Sequence, residues 1–297
     1  MKSAGTRTFS LARAYYVTRV LVAAGYLLIA QLVGAMAAAN AVAQELVSAS
    51  PDVTIALGGA GLTTADEDVV VDNRFGIFGL ETLGALPNRA DVTAFGLELG
   101  GDRLVAFDTT VELPGSVIAR RGDVVRTDGA SFSIVFDASA AGLPPGATTD
   151  AVSLAPSGLL LSFDTAVSLG GTFVGREDLV SWDGGGFSLA FDGSSEGVSG
   201  SLDVDGAQDL GGGSFLLSFD TTGEVGGVVF DDEDILRFDG TSWSLEYDAS
   251  SVDARWAAAD LDGFIVPEPG FCQALLYGAV GLMAVARRRS CSSKSPA

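Results

Sequence analysis

From residue 44 to residue 265 the chain is a succession of short runs in which apolar and polar side chains alternate. Each run is closed by Asp-Gly, Gly-Gly or Asp-Thr. A period of two over strand-length runs, punctuated by residues that tolerate tight turns, predicts β-strands joined by hairpins. No segment of this body sustains the helical period. One run recurs: LVAFDTT at Phe107-Asp108, LLLSFDTA at Phe163-Asp164 and FLLSFDTT at Phe219-Asp220, each pair 56 residues apart. Spacing of this regularity predicts a repeat architecture.

The repeat resolves into four strand types, each found four times. The first lies at Asp91 to Phe95, Asp150 to Leu154, Asp203 to Ala207 and Asp260 to Phe264. The second lies at Val53 to Leu57, Leu104 to Phe107, Leu159 to Phe163 and Phe215 to Phe219. The third begins near Asp68, Asp123, Asp178 and Asp234. The fourth covers Phe75 to Phe78, Phe132 to Phe136, Phe187 to Phe191 and Trp243 to Tyr247. Between the second and third types runs a Gly-rich connector, SLGGTFVG in the third unit, and Trp182 to Phe187 forms a hairpin between the last two strands. In that unit Leu160, Phe163, Val180, Trp182, Leu189 and Phe191 are expected in the core.

The body opens with a second-type strand and closes with a first-type strand. This offset lets the last strand complete the first sheet. The predicted fold is all-β: four ~55-residue repeats of four short antiparallel strands, closed by the C-terminal strand into a small β-propeller, with an open β-solenoid or a sandwich as the alternatives.

Composition narrows the chemistry. Residues 44–266 hold nine arginines, no lysine and 37 of the chain's 38 acids, a formal charge of −28. Such a body repels nucleic acid, which requires a basic footprint, and draws cations and basic partners. Histidine is absent, which removes the Ser-His-Asp triad and histidine metal sites. The two cysteines, Cys272 and Cys291, lie beyond the body, which therefore has no disulfide and no thiolate site.

The ends carry address signals. Lys2, Arg7, Arg13 and Arg19 precede an apolar run over 20–39, and Ala41-Val-Ala43 supplies the small residues of a secretory cleavage site, giving a signal peptide over 1–43. At the other end an apolar stretch over 271–286 is just short of a full membrane span and is followed by Arg287, Arg288 and Arg289. Together with Val266-Pro267-Glu268-Pro269, residues 266–297 resemble the PEP-CTERM sorting tail of Gram-negative bacteria. The amino-terminal site implies signal peptidase as a processing partner, and the resemblance implies an exosortase-like enzyme, an inner-membrane precursor, and delivery to the cell surface or an exopolysaccharide matrix.

Acids cluster at Asp66 to Asp68, at Asp203, Asp205 and Asp209, and at Asp231, Asp232 and Asp234. Hard oxygen donors suit Ca²⁺, the one cofactor the chain suggests, with Asp203, Asp205, Asp209, Asp231, Asp232 and Asp234 as candidate ligands. The competing reading is that these aspartates, like Asp108, Asp164 and Asp220, end strands and bond to backbone N–H groups in turns. No nucleophile elbow, phosphate loop or dinucleotide fingerprint occurs in the body. The chain is thus expected to be an exported, non-enzymatic envelope or extracellular-matrix protein with a structural or adhesive role, in contact with exopolysaccharide or envelope proteins. The alternatives are a secreted glycan or phosphoester hydrolase and a protein-interaction module. A unique acid pair in the ring mouth would favour the hydrolase, and equivalent acids in every repeat would favour a scaffold.

Overall fold

The computed structural model describes residues 46–267 except 60, 89 and 99. Ala41, Ala43, Glu268, Pro269, Arg287, Arg288, Arg289 and the apolar stretch over 271–286 lie outside them. Among the described residues no helix is long and apolar enough to cross a membrane.

The body is a ring of four antiparallel four-stranded sheets, a four-bladed β-propeller. The first blade joins both ends of the body: β1 (Val47–Pro51), β4 (Val69–Asp72), β5 (Phe78–Glu81) and, innermost, β24 (Leu261–Ile265). The second comprises β6 (Val92–Leu97), β7 (Arg103–Phe107), β10 (Val124–Thr127) and β11 (Phe132–Phe136). The third comprises β12 (Thr149–Ala155), β13 (Gly158–Phe163), β16 (Leu179–Trp182) and β17 (Phe187–Phe191). The fourth comprises β18 (Val204–Gly211), β19 (Ser214–Phe219), β22 (Ile235–Phe238) and β23 (Trp243–Tyr247). The expected closure is present: β24 pairs with β1, Ala49 opposite Phe264, so β1 has no free edge toward the axis.

Three details correct the strand assignment. The second-type strand of the first unit is Val47–Pro51, not Val53 to Leu57. Pro51-Asp52 occupies the place of Phe107-Asp108, and the absence of the aromatic hides the match. The fourth strand of that unit is Phe78–Glu81, not Phe75 to Phe78, because Asn73 to Ile77 form a loop. The Gly-rich connectors are themselves hairpins: β2 (Ile55–Leu57) with β3 (Leu62–Thr64), β8 (Val111–Leu113) with β9 (Val117–Ala119), β14 (Val167–Leu169) with β15 (Thr172–Val174), and β20 (Gly223–Val225) with β21 (Val228–Phe230). Gly170 and Gly171, both at positive φ (58° and 92°), make the two-residue turn of the third hairpin, in the conformation that suits the strand twist.

Four apolar clusters fill the four gaps between neighbouring blades. Leu160, Phe163, Val180 and Phe191 are buried as expected. Trp182 is half-buried and meets the edge of Phe136 at 5.0 Å. Leu189 is a correction: it is 41% exposed, because β17 is the outermost strand of its blade, and the equivalent Leu80, Ile134 and Leu245 of the other outer strands are exposed too (47%, 37% and 41%). Tyr247 of the fourth blade donates its hydroxyl to the Asp72 carboxylate of the first, and Arg74 lies over the Tyr247 ring.

Candidate functional site

The four innermost strands run in one direction, so their first residues meet at one mouth of the ring. Opposed innermost strands approach within 8 Å between Cα atoms. The interior is filled by side chains such as Phe95 and Phe264, both buried. The packing is close enough that a side chain at Gly96 would collide with the Val152 carbonyl. The ring therefore offers a mouth and no open bore. Every second strand ends at this mouth (Phe107 lies opposite Val92, Phe163 opposite Thr149) and every small hairpin follows it. The hairpins consequently stand on the mouth face.

Each innermost strand carries a bulge at its start, and the bulged residues are Thr93, Asp150, Asp205 and Asp262. A bulge re-aims the side chain of its extra residue, and here it places three carboxylates and a hydroxyl at equivalent positions around the mouth. The aligned position two residues earlier holds Asp91, Thr148, Asp203 and Asp260. The reading that set Asp150 beside Asp91, Asp203 and Asp260 is thus out by two positions, and Asp150 belongs with Asp205 and Asp262.

A third set is the aspartate that ends each second strand. Asp164 accepts the Thr148 N–H at 2.8 Å, Asp220 that of Asp203 at 2.9 Å, and Asp52 that of Asp260 at 2.8 Å. Asp52, Asp164 and Asp220 are thus clamps on the innermost strand. The third-strand aspartates also serve turns: Asp68, Asp123, Asp178 and Asp234 each accept the N–H three residues earlier at 2.8–3.0 Å.

A fourth set decides the electrostatics. Asp66, Arg121, Arg176 and Asp232 occupy one repeat position. The Asp66 carbonyl accepts the Val92 N–H at the junction of blades one and two, and the Arg176 carbonyl accepts the Val204 N–H at that of blades three and four, the same bond two junctions apart. At the junction of blades two and three, Arg121 bonds Thr148 Oγ1 at 2.6 Å and Asp164 at 3.3 Å. At the next, Arg176 bonds Asp203 at 2.6–2.7 Å and Asp220 at 3.5 Å. At the remaining two junctions the arginine is replaced by an acid: Asp232 lies by Asp52 and Asp260, and Asp66 by Asp91.

Burial in this setting penalises charge. Desolvation first, and then repulsion from neighbouring carboxylates, raises Asp150 and Asp262 to about 9, Asp260 to about 7 and Asp91 to about 6. Asp203 rises to about 6 by burial, held down in part by Arg176. Asp205 is raised well above the usual range by burial and by Asp260 and Asp150. Buried oxygens of Asp91, Asp203, Asp205 and Asp262 accept no hydrogen bond from the described residues.

Of the six candidate calcium ligands, the structure brings Asp203, Asp205 and Asp232 to the mouth. Asp209 lies near the far end of β18, where it accepts the Gly211 N–H at 2.7 Å. Asp231 accepts the Thr222 hydroxyl at 3.3 Å, and Asp234 is buried in its turn. Among the described residues no three such side chains are arranged to hold a metal ion. Of the sorting motif, Val266 is buried and bonds the Gln208 side chain through both N–H and carbonyl (2.9 and 2.7 Å), so the ring ends where Pro-Glu-Pro begins. Asp52, Asp91, Asp150, Asp260 and Asp262 were not legible as site residues. The Asp-x-Asp of Asp203-Asp205 and Asp260-Asp262, set against Thr148-Asp150 and Asp91-Thr93, is the signal that finds them.

A separate concavity of about 440 Å³ lies between Ile134, Ala140, Ala141, Trp182 and Phe187. Its one charged lining residue, Asp137, caps the short helix α1 (Ala138–Ala141).

Fold and site together define a four-bladed β-propeller with a plugged axis and an acidic mouth. No protein-family model and no curated protein matches this chain. It is similar to the solved structure of YCF48 bound to D1 peptide, at 9% identity and TM-score 0.25 over 66% of this chain and 67% of that one. It is also similar to extracellular domains from B. thetaiotaomicron, one assigned to a one-component system (8% identity, TM-score 0.28, 67% of this chain and 38% of that one) and one to a hybrid two-component system (10%, 0.28, 62% and 30%).

Proposed function

We propose that this protein is a non-catalytic binding module of the bacterial envelope or extracellular matrix, exported through its amino-terminal signal, sorted through its PEP-CTERM-like tail, and engaging partners through the mouth face. The observation that carries this reading is the composition of that face. The middle residues of three hairpins, Ile118, Phe173 and Val229, stand at one repeat position and are 51%, 71% and 68% exposed around the carboxylate ring. Exposed apolar side chains beside a charged centre are characteristic of interaction surfaces. Equivalent carboxylate pairs recur at three junctions (Asp150 with Asp203, Asp205 with Asp260, Asp262 with Asp91). Recurrence favours a scaffold over a hydrolase, which needs one acid pair distinguished from the rest.

The test is surface retention of the full chain in a Gram-negative host that carries an exosortase. The chain is expected at the cell surface, released by high salt, and retained less well after Phe173→Ser with Val229→Ser or after Asp91→Asn with Asp260→Asn. Retention indifferent to salt and to both pairs of substitutions would overturn the reading.

A further inference from the structure

We propose that the concavity between blades two and three is a socket for a tryptophan side chain of a partner protein. It is a site apart from the mouth carboxylates, and the inference does not rest on how the mouth is read.

The next junction shows what such a space holds. Between blades three and four, Trp243 at the start of β23 fills the gap. Its indole N–H donates to the Glu196 carbonyl at 3.1 Å, and its ring meets Phe191 edge-on at 6.1 Å. A β-carbon on Gly226, at the turn of the β20–β21 hairpin, would lie 2.7 Å from Trp243 Cδ1. The concavity is built on the same frame. Phe187 pairs with Trp182 as Trp243 pairs with Phe238, and stands 6.2 Å from Phe136. Ala141 donates its N–H to the Asp137 carbonyl as Glu196 does to that of Asp192, and Leu143 donates to Ala138 as Val198 does to Gly193. The Ala141 carbonyl therefore holds the place from which Glu196 accepts an indole N–H.

The frame is shared and the filling is not. Phe187 has one ring where Trp243 has two, and carries no N–H. Gly185 and Gly186 stand in the turn where blade four has Thr241 and Ser242. A β-carbon on Gly170, the equivalent of Gly226, would meet no described atom within 4 Å. Trp182 is consequently only half-buried, whereas Phe238 at its repeat position is 4% exposed. The result is the open space of about 440 Å³, the size of a ligand pocket. Its charged residue, Asp137, is engaged by the Ala140 N–H and the Ser139 hydroxyl at 2.9 and 2.8 Å, which leaves the rings to set what binds.

An indole seated here would face the Trp182 and Phe187 rings, a favourable aromatic arrangement, and donate to Ala141. Tryptophans held in pockets of this kind are common anchors of protein interfaces. The occupant is not this chain's own. Of its three tryptophans, Trp182 lines the concavity, Trp243 fills the next junction and Trp256 is fully buried.

The experiment is a fluorine NMR titration of N-acetyl-fluorotryptophanamide with the full chain. Saturable binding is expected, tighter by about threefold or more than that of N-acetyl-fluorophenylalaninamide, which lacks the ring donor. Phe187→Trp gives the socket an indole of its own, as at the next junction, and is expected to abolish binding and raise the melting temperature. Ala140→Leu, at an exposed helix position on the rim, is expected to weaken binding without lowering the melting temperature, and decides the matter should Phe187→Trp fail to fold. Leu189→Ala, on the exposed face of β17, is expected to leave the affinity unchanged. Binding that survives Phe187→Trp and Ala140→Leu overturns the proposal. Saturation by cellobiose with no binding of the tryptophan amide also overturns it, and would make the concavity a saccharide site.

Discussion

Asp260 donates its N–H to the Asp52 carboxylate at 2.8 Å and accepts the Asp52 N–H at 3.1 Å, tying together two residues 208 positions apart. The pair fixes where the last strand enters the first blade. It repeats, across the two ends of the body, the clamp that Asp164 and Asp220 make within theirs. A chain ended at Asp260 should therefore lose the ring and not merely fray. It would forfeit Leu261, Phe264, Ile265 and Val266, all buried, at about 1.5–3 kcal/mol for each large apolar side chain. The sum rivals the whole stability of a domain, roughly 5–15 kcal/mol. Circular dichroism on heating is expected to show no cooperative transition, and a cooperative melt in the truncated chain would contradict ring closure by β24.

Phe163 and Phe219 are fully buried at one repeat position, in adjacent gaps between blades. Phe163→Ala and Phe219→Ala should each cost about 3–5 kcal/mol in denaturant unfolding. Leu189→Ala, on the exposed middle of β17, should stay within about 0.5 kcal/mol of the parent. Equal losses at Leu189 and Phe163 would mean that the outer strand faces inward.

The third-strand aspartates test turn chemistry against metal binding. Asp178 accepts the N–H groups of Gly175 and Gly193 at 2.8 and 2.9 Å, both buried. Asp178→Ala orphans both, at about 1–3 kcal/mol each. The loss should be the same in EDTA and in millimolar Ca²⁺. A loss seen only with Ca²⁺ present would make these turns ion sites.

Fold legibility and site legibility parted for a physical reason. Strand period recurs in every unit and Phe-Asp-Thr recurs at 56 residues in three of the four, so four blades and their closure could be read without a structure. The first unit blurred where Pro51 stands in the place of the phenylalanine and where the Asn73 to Ile77 loop displaces the fourth strand. The mouth is different, because its residues converge from four blades and their grouping depends on a bulge. Asp150 reads as the partner of Asp203 until the extra residue in β12 shows that Thr148 holds that place. The exchange of Arg176 for Asp232 carries no periodic signal at all. It is a break in the repeat, visible only once the unbroken copies show what the position does.

The raised carboxyls set the pH dependence. Asp150 and Asp262 titrate at about 9, Asp260 and Glu233 at about 7, and Asp91, Asp203 and Asp234 at about 6, each pushed up chiefly by burial. All bind their protons more tightly folded than unfolded. The folded state therefore gains stability as pH falls from about 9 toward the ordinary carboxyl range near 4, and loses it as pH rises through the same window. Asp128, Asp137, Asp183, Asp192 and Asp239, lowered by turn N–H groups, act oppositely and give up their stabilisation only as pH drops below that range. Calorimetry at constant ionic strength should find the melting temperature highest between about pH 4 and 6 and falling on both sides. Asp150→Asn with Asp262→Asn should flatten the alkaline arm, since the amide stays neutral where the carboxyl ionises. A melting temperature that climbs steadily to pH 9 would contradict raised carboxyls at the mouth.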